Sequence, residues 1–522
     1  MAPFVDNWPQ WPVWGAESQN PPHSSLLSAF LNTTRDKAAS LMRFLNSDPT
    51  TWYFDSDHED GNNDDDDDDE SLFQNAVNNV LQTAEVVLDD AVVAPVRPKR
   101  TRAKYQRKNQ RDSLWWKDYL APAPRAELAQ HPHGRLAVLF RRDFHTPYAL
   151  YRDLVDLCKD RWYQEWHEDK VCRAGKPVSN LELKVLGSLY FLANAATHFM
   201  VSRHTNISEE VHRLFLLEWT RHMTSLKDDY IYMPMDEATY SRVVGEYTSR
   251  GFPGCIVGSV DCVHIGWDRC PTQYHNVYTG KEGYPSIAYE VICTSRKFIQ
   301  SVTVGHPGTR NDKHIVRTDE SVTNLLYGNG WLNSKLWQCV GPGGVTRTFR
   351  GNYLLCDGGY HRWPCLISPD KHDVPGSPVM LWTATLESVR KDIEGVFGIL
   401  KSRFRFLKNF NNMSKQSSVD NAFVTCCILH NMMLETDGYL DDDLAPYPGG
   451  LEERLRKKYW NHTWNGVHGM WIRHDDDTPF EDGLAPDEDV TIPTFASPKF
   501  LEAKWHEVTN ALIDHHHYSR IN

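Results

Sequence analysis

The chain has 522 residues, of which 40% are apolar and 24% are charged, and its formal net charge is −13. That length can bury at least one large core with flanking segments, but the chain lacks the run of about 18 apolar residues that a membrane span needs and lacks the pattern of a secretory signal. Eleven cysteines without a Cys-x-x-Cys pair argue against a disulfide framework and an ordinary zinc ribbon, so we expect reduced thiols inside the cell.

The charge is unevenly distributed along the chain. Residues 1–96 carry −15 and residues 435–522 carry −10, so the segment between them carries +12. Eight of those positive charges fall in residues 97–111, which leaves residues 112–434 at +4. Because the middle of the chain is basic between acidic ends, the negative net charge does not exclude a polyanionic partner such as DNA.

Residues 1–112 are predicted to form a largely disordered N-terminal region. Its first 25 residues contain three regularly spaced tryptophans but too few apolar neighbours for a core, a pattern that allows a docking peptide. Residues 55–70 hold 11 acids and favour a solvated, self-repelling spacer over an acidic docking site. The basic run 97–111 indicates a nuclear import signal, an arm that neutralises phosphates, or a plain linker. We therefore predict that the protein acts in the nucleus.

Residues 113–250 are predicted to form a helical domain, because short amphipathic runs alternate with polar breaks. Ser208 and Asp236 stand in front of two of these runs, where an N-cap residue is expected. A helix-turn-helix that reads DNA and a bundle that only packs against the next domain fit this pattern equally well. No base-reading residues can be selected from the sequence to decide between them.

Residues 251–435 have the pattern of an α/β domain. Four strand-like runs are separated by turn residues and lie at 255–265, 287–293, 298–304 and 353–356. A helix near 314–327 and a Gly-rich insertion at 328–351 stand between the third run and the fourth. This order predicts a ribonuclease H-like core, a mixed sheet flanked by helices in which the first and fourth strands are neighbours. Residues 436–522 are expected to be a disordered acidic C-terminal extension.

A late helix follows the fourth strand. Its apolar side chains are spaced four, three and four residues apart, at Val389, Ile393, Val396 and Leu400. This spacing places them in one stripe, which we expect to pack on the sheet. The basic side chains of the same helix and its exit are expected either to meet DNA phosphates or to form a solvated face. They are Arg390, Lys391, Lys401, Arg403, Arg405 and Lys408.

Three acidic residues of this domain predict a metal-dependent nuclease site. Asp261 lies in the first strand, Asp357 closes the fourth, and Glu394 projects from the edge of the helical stripe. Hard divalent ions such as Mg²⁺ favour oxygen ligands, and two such ions can activate the attacking oxygen and stabilise the leaving oxygen in phosphodiester displacement. We expect Mg²⁺ or Mn²⁺, with two ions, held by these three carboxylates.

Three other candidates have more than one interpretation. We interpret Asp312, which follows a Pro-Gly turn, as a helix cap rather than as a fourth metal ligand. His264 is either a hydrogen-bonded structural histidine or a group that orients a water or a phosphate. The histidines at 515–517 are either metal ligands or ordinary residues of the chain terminus.

The motifs that carry these residues resemble those of PIF/Harbinger-type DDE transposases and of the domesticated nucleases derived from them. The resemblance covers residues 135–435, and its motifs occur in the family's order. They are Val-Asp-Cys-Val-His-Ile-Gly-Trp at 260–267, Gly-His-Pro-Gly-Thr-Arg-Asn-Asp at 305–312, Cys-Asp-Gly-Gly-Tyr at 356–360, Glu-Gly-Val-Phe-Gly-Ile-Leu-Lys at 394–401 and Leu-His-Asn-Met at 429–432.

The resemblance implies that Asp261, Asp357 and Glu394 are the metal-binding triad of a DDE-type nuclease. It implies recognition of transposon terminal repeats, double-strand cleavage, strand transfer into a target site, and often a separate Myb-like DNA-binding partner. Whether the active form is a homodimer stays open. The alternative is a domesticated, non-catalytic nuclear factor that binds DNA or other proteins. Such a factor would be free to lose the three acids, so their presence favours the enzyme.

Overall fold

The computed structural model describes residues 108–162, 178–328, 330–371, 373–409, 413–438, 462–465, 470–473 and 496–521. The Trp-rich leader, the acidic run and most of the basic run 97–111 lie outside these ranges, so what the sequence predicts for them stays a prediction. All described residues belong to one unit, Lys104–Asn522. Among them, no helix has the length and apolar character to cross a membrane.

Within the described residues before 255, the chain forms eight α-helices. They are α1 (Pro122–Gln130), α2 (Arg135–Phe144), α3 (Tyr148–Arg161), α4 (Leu181–Asn194), α5 (His198–Thr205), α6 (Glu209–Thr224), α7 (Lys227–Tyr230) and α8 (Glu237–Thr248). Asp236 caps α8 as predicted, since its side chain accepts a hydrogen bond from the Thr239 N–H at 2.8 Å. Ser208 stands at the N-cap of α6, but its side chain makes no capping bond.

A mixed sheet follows the helices. Its strands are β1 (Cys255–Gly266), β2 (Ser286–Cys293), β3 (Ile299–Val302), β4 (His306–Pro307), β7 (Tyr353–Leu355) and β8 (Leu366–Ile367), and a separate hairpin is formed by β5 (Leu336–Val340) and β6 (Thr346–Arg350). The main order is β3-β2-β1-β7-β8, with β4 on the edge of β2. β1, β2 and β3 are antiparallel, while β7 and β8 run parallel to β1. The four predicted strands are confirmed, and so is the pairing of the first with the fourth.

Helices surround the sheet and divide the regions between strands. They are α9 (His275–Tyr278), α10 (Asp312–Val316), α11 (Glu320–Tyr327), α12 (Trp331–Ser334), α13 (Pro378–Arg390), α14 (Asp392–Arg403), α15 (Gln416–Thr436) and α16 (Pro498–Ile521). The helix predicted near 314–327 is therefore two helices, and the insertion 328–351 contains α12 and the β5–β6 hairpin. A further hairpin pairs β9 (His462–Asn465) with β10 (Met470–Arg473).

The late helix is also interrupted, between Arg390 and Asp392. All four residues of the predicted stripe are buried. Ile393, Val396 and Leu400 pack with β1 and β2, whereas Val389 belongs to a second cluster around Trp382. The stripe thus packs inward as expected, but its first member lies on α13 and contacts a different part of the core.

The helical region and the sheet share one hydrophobic core. A single cluster extends from Trp115 through β1, β2 and β3 to Met433 on α15. Asn431 on α15 joins the two regions, because its Nδ2 donates to the Tyr230 and Ile299 carbonyls at 2.7 Å each and its Oδ1 accepts from the Ile299 N–H at 2.9 Å. The predicted boundary near residue 250 therefore separates two layers of one core.

The C-terminal segment departs from the predicted disordered extension. α16 packs against β5, β8 and α13, and the indole N–H of the buried Trp505 donates to the Leu366 carbonyl at 2.9 Å. Its buried side chains recur at helical spacing, at Leu501, Trp505, Val508 and Leu512. His515 accepts a hydrogen bond from the Val340 N–H at 3.1 Å, and His516 contacts Thr385. These histidines therefore connect α16 to the fold, and the speculative metal role for them is not supported.

Candidate active site

Asp261 and Asp357 lie next to each other at the centre of the sheet. Ser259 on β1 pairs in parallel with Leu355 on β7, and each aspartate stands two residues further along its own chain segment. The Asp261 side chain is 20% exposed and stands between the buried Val260 and the partly buried Cys262. Glu394 stands in the first turn of α14, which packs on β1, and half of its side chain is exposed.

Asp261 lies in a strongly negative environment. Burial raises its pKa to about 6, and the charges of Asp357 and Asp312 act in the same direction. The N–H of Cys262, which donates to Asp261 Oδ1 at 2.8 Å, and the nearby Arg390 act against that rise. A carboxylate that is held half-buried beside two others is a group prepared to accept a cation.

Asp312 is the residue that the sequence interpretation missed. The cap of α10 is Asn311, whose side chain accepts from the His314 N–H at 3.0 Å, so the cap role assigned to Asp312 is wrong. Asp312 instead faces Asp357. A Cβ atom on Gly359 would lie 3.0 Å from Asp357 Oδ1 and 3.4 Å from Asp312 Oδ2, so the absence of a side chain at Gly359 leaves room for both carboxylates.

Arg390 is buried among these acids. Its Nη1 lies 3.5 Å from Asp261 Oδ2, and its Nη2 lies 3.1 Å from Glu394 Oε1. Glu387 holds the same guanidinium from the other side, with Oε2 at 3.3 Å from Nε and 3.1 Å from Nη2. The expectation that Arg390 forms part of a phosphate-binding or solvated edge is therefore wrong, because this side chain neutralises acids inside the protein.

Two more members of the predicted basic edge are also engaged within the protein. Lys401 Nζ donates to the His264 carbonyl at 3.3 Å, and Arg403 Nη1 lies 3.0 Å from His430 Nδ1. The other three members, Lys391, Arg405 and Lys408, are exposed. His264 itself lies 3.1 Å from the Ser286 hydroxyl through Nδ1, and burial lowers its pKa, which favours the structural interpretation of this residue.

A different set of exposed cations lies near the loop that follows Asp357. We call Arg310, Lys313 and Arg317, which are exposed at α10 and its two ends, the basic rim. Arg317 Nε donates to His361 Nε2 at 3.0 Å, which brings the rim to the loop that follows Asp357. Burial lowers the pKa of His361, and the positive charges of Arg317, Lys313 and His314 lower it further. Among the described residues, Lys313 and Arg317 form no ion pair with a carboxylate.

A buried acid pair lies on the opposite face of β1 from α14. Glu290 on β2 is fully buried opposite Cys262, and its Oε2 accepts the Cys262 thiol at 3.8 Å. Its Oε1 and the Oδ2 of buried Asp319 receive no hydrogen bond from a third residue among those described, and the two carboxyl groups interact with each other. Burial, followed by the charge of Asp319, raises the pKa of Glu290 well above its usual range. The raised pKa favours the protonated form of Glu290 beside Asp319.

The donor set at Asp261, Asp357 and Glu394 has the oxygen chemistry that Mg²⁺ and Mn²⁺ favour. The arrangement fits less well. In the part of the chain that the structure describes, no three His, Cys, Asp or Glu side chains are placed to hold a metal ion together. Arg390 lies between Asp261 and Glu394, where a cation would have to lie to contact both. The chemistry of the site therefore suits a divalent ion, while its present geometry has a guanidinium in that place.

Comparison with known proteins agrees with the motifs. Residues 228–441, which include Asp261, Asp312, Asp357 and Glu394, match the family model described as plant transposon protein. Two curated relatives carry the name "Putative nuclease HARBI1". The protein from Mus musculus is 21% identical over 276 residues, 52% of this chain and 72% of its own length. The protein from Xenopus laevis is 23% identical over 302 residues, 56% of this chain and 77% of its own length.

No solved structure matches the chain. The family model and the two relatives nevertheless identify the same group of proteins that the sequence motifs resemble, so that prediction is confirmed. The chain is thus similar over residues 228–441 to the plant transposon protein family and over about half of its length to two proteins named as putative nucleases.

Proposed function

We propose that this protein is a metal-dependent DNA endonuclease and transposase of the DDE type, in which Asp261, Asp357 and Glu394 hold Mg²⁺ or Mn²⁺. The observation that carries the proposal is the position of two aspartates on adjacent parallel segments, below a helix that presents a glutamate. The relatives named as nucleases support the same reaction class.

The topology supports a ribonuclease H-like core. Counted in order of appearance, the five principal strands of the sheet run third, second, first, fourth, fifth, with the first three antiparallel and the last two parallel to the first. In this arrangement the first and fourth strands are central and adjacent. Their carboxylates therefore meet at a place that the flanking helix α14 can also reach, which is what a three-carboxylate site requires.

The side chains have separable roles in this proposal. Divalent ions bound here would supply the charge that activates the attacking oxygen and stabilises the leaving oxygen. Asp261 must lose its proton before it can act as a ligand, and its pKa of about 6 places that step just below neutral pH. Asp312 adds negative charge beside Asp357 and acts on Asp261 in the same direction. Arg390 balances part of that charge.

The substrate side of the proposal rests on the basic rim. Phosphodiesters are recognised through Lys and Arg side chains, and phosphate contacts fix the register of a protein on DNA. Lys313 and Arg317 are exposed cations beside the loop that follows Asp357. We propose that they contact phosphates of the transposon ends or of the target DNA. Nuclear localisation through residues 97–111, a Myb-like partner and a homodimer belong to the same proposal.

A second candidate function is a domesticated DNA-binding or protein-interaction factor that does not cut. One observation favours it: Arg390 neutralises Asp261 and Glu394, and no three acids among the described residues are placed around a metal ion. A protein of this kind would use the basic rim for DNA while its acids served only folding.

DNA cleavage separates the two functions. The full-length protein, with Mg²⁺ or Mn²⁺ and a Myb-like partner supplied, is incubated with supercoiled plasmid that carries transposon terminal repeats. We expect nicking or cutting that Asp261→Asn, Asp357→Asn and Glu394→Gln each abolish while DNA binding persists. Glu127→Gln, an exposed residue on α1, is the matched control and should cut like wild type. Binding without cleavage by the wild type would favour the second function.

A further inference from the structure

We propose that Arg390 is an internal counter-ion of the acid cluster, which consists of Asp261, Asp312, Asp357, Glu387 and Glu394. Arg390 holds Asp261 and Glu394 as long as no metal ion is bound, and it must be displaced when a divalent cation binds. The inference rests on the proposed function, since it treats the two acids as metal ligands. It adds a competition between the protein's own cation and the metal.

The guanidinium lies between the two carboxylates that a metal would have to bridge. One terminal nitrogen lies 3.5 Å from Asp261 Oδ2 and the other lies 3.1 Å from Glu394 Oε1. Because a guanidinium is planar and presents its donors in fixed directions, a single group can contact acids on two sides. Asp261 and Glu394 are thereby held apart around Arg390, which accounts for the absence of a ready metal cluster among the described side chains.

The charges at this place favour an exchange of cations. Arg390 is 9% exposed, so it needs partners, and it has three carboxylates within 3.5 Å: Asp261, Glu387 and Glu394. Asp357 and Asp312 add two more negative groups near Asp261. A single guanidinium cannot neutralise all of these carboxylates, so the acid cluster keeps an excess of negative charge. A divalent cation would neutralise it better, but only after the guanidinium has left the space between Asp261 and Glu394.

Glu387 provides the place to which Arg390 can withdraw. It lies one turn earlier on α13 and receives both Nε and Nη2 of Arg390, so the guanidinium keeps a partner when its contacts with Asp261 and Glu394 are lost. Lys371 Nζ, at 3.1 Å from Glu387 Oε1, holds this carboxylate in turn. Arg390 is thus a positioning residue that is shared between a structural carboxylate and two candidate ligands.

Mn²⁺ binding by the full-length protein tests the inference without any need for cleavage. In isothermal titration calorimetry at neutral pH, Arg390→Gln should bind Mn²⁺ about tenfold more tightly than wild type, because the metal no longer competes with a fixed cation. Glu387→Gln should bind more weakly, because Arg390 then has only the two candidate ligands to neutralise. Lys391→Gln removes an exposed positive charge from the next residue and should change the affinity less than about twofold.

The outcomes divide cleanly. Equal or weaker Mn²⁺ binding by Arg390→Gln than by wild type would overturn the inference. An equal gain in Mn²⁺ affinity in Lys391→Gln would also overturn it, because the gain would then reflect only the loss of a positive charge near the site. If Arg390→Gln does not fold, Arg390→Lys keeps the charge but cannot bridge two acids, and should still bind Mn²⁺ more tightly than wild type. Failure of wild type and every variant to bind Mn²⁺ would overturn the proposed function as well, whereas tight wild-type binding without a gain in the variants rejects only the role of Arg390.

Discussion

Asp261 and Asp357 are neighbours because Ser259 and Leu355, two residues before them, pair in a parallel register between β1 and β7. The two aspartates are 96 positions apart in sequence, and their proximity depends entirely on this register. The consequence is electrostatic: the charge of Asp357 adds to the effect of burial and keeps the pKa of Asp261 near 6, above its usual value of 3.8.

The first prediction concerns the stability of the metal-free protein. A carboxyl group whose pKa is raised on folding contributes stability that is fully present below its unfolded pKa and is lost as the pH rises through its folded pKa. For Asp261 this window runs from 3.8 to about 6. Asp261→Asn should therefore gain up to about 3 kcal/mol over wild type above the window and nothing below it.

Urea unfolding of both proteins across this pH range, with a chelator present, measures the difference. Glu127→Gln, at an exposed position on α1, serves as the control and should show no such window. A constant difference between wild type and Asp261→Asn at all pH values would contradict the electrostatic account.

The second prediction separates Asp312 from its neighbour Asn311. Asn311 caps α10, so Asn311→Ala should reduce the free energy of unfolding by about 1 kcal/mol and leave cleavage close to wild type. Asp312 faces the site, so Asp312→Asn should leave stability nearly unchanged and reduce the cleavage rate by about tenfold. Parallel unfolding and plasmid-cleavage measurements decide the matter. Equal effects of the two substitutions on the cleavage rate would show that Asp312 has only a structural role.

The third prediction concerns the buried pair of Glu290 and Asp319. The pKa of Glu290 is raised, so its stabilising contribution is present at low pH and is lost as the pH rises through that folded value. Wild type should therefore lose thermal stability as the pH rises from the ordinary glutamate pKa of 4.5 towards the raised pKa of the folded protein. Glu290→Gln keeps a donor for Asp319 and cannot ionise, so its melting temperature should vary much less over this range.

Glu290→Leu separates the contribution of the carboxyl proton to stability from the contribution of side-chain packing. It removes the carboxyl proton that Glu290 can offer to the buried Asp319 Oδ2, which should cost about 1 to 3 kcal/mol at low pH and less as Glu290 ionises in wild type. Exposed Glu320, the next residue after Asp319, gives the control Glu320→Gln, which should melt like wild type. The raised pKa of Glu290 is rejected as the cause if Glu290→Gln retains the loss of stability at rising pH.

The sheet could be predicted from the sequence because local patterns determine its strands. Apolar runs bounded by turn residues marked β1, β2, β3 and β7, and their order indicated which of them would be neighbours. The juxtaposition of Asp261 and Asp357 followed from that order alone. The break after Arg390 was hidden, because the apolar spacing from Val389 to Ile393 continues across it without interruption.

The rest of the site depends on contacts between distant segments. Arg390 was grouped with surface cations because of its residue type, and only the packing of α13 near β1 and Glu394 reveals its buried ion pairs. Glu290 stands in a strand-like apolar run with no local sign of its partner Asp319. α16 is different, since the spacing of Leu501, Trp505, Val508 and Leu512 was readable, but the acidic composition of the C-terminal segment outweighed it.

The fourth prediction concerns the basic rim and DNA. If Lys313 and Arg317 contact phosphates, each Ala substitution should weaken DNA binding and reduce the slope of log affinity against log salt by about one. Lys499 is exposed on α16, outside the rim, so Lys499→Ala is the matched control and should keep the wild-type slope. Fluorescence anisotropy at several salt concentrations, with EDTA present to prevent cleavage, provides both quantities.

Because the rim contacts phosphates and not bases, the loss of affinity should be the same for DNA with and without terminal repeats. A loss of affinity confined to one DNA sequence, or an unchanged salt slope in both variants, would show that the rim does not contact DNA phosphates. Lys313 and Arg317 would then be solvated side chains.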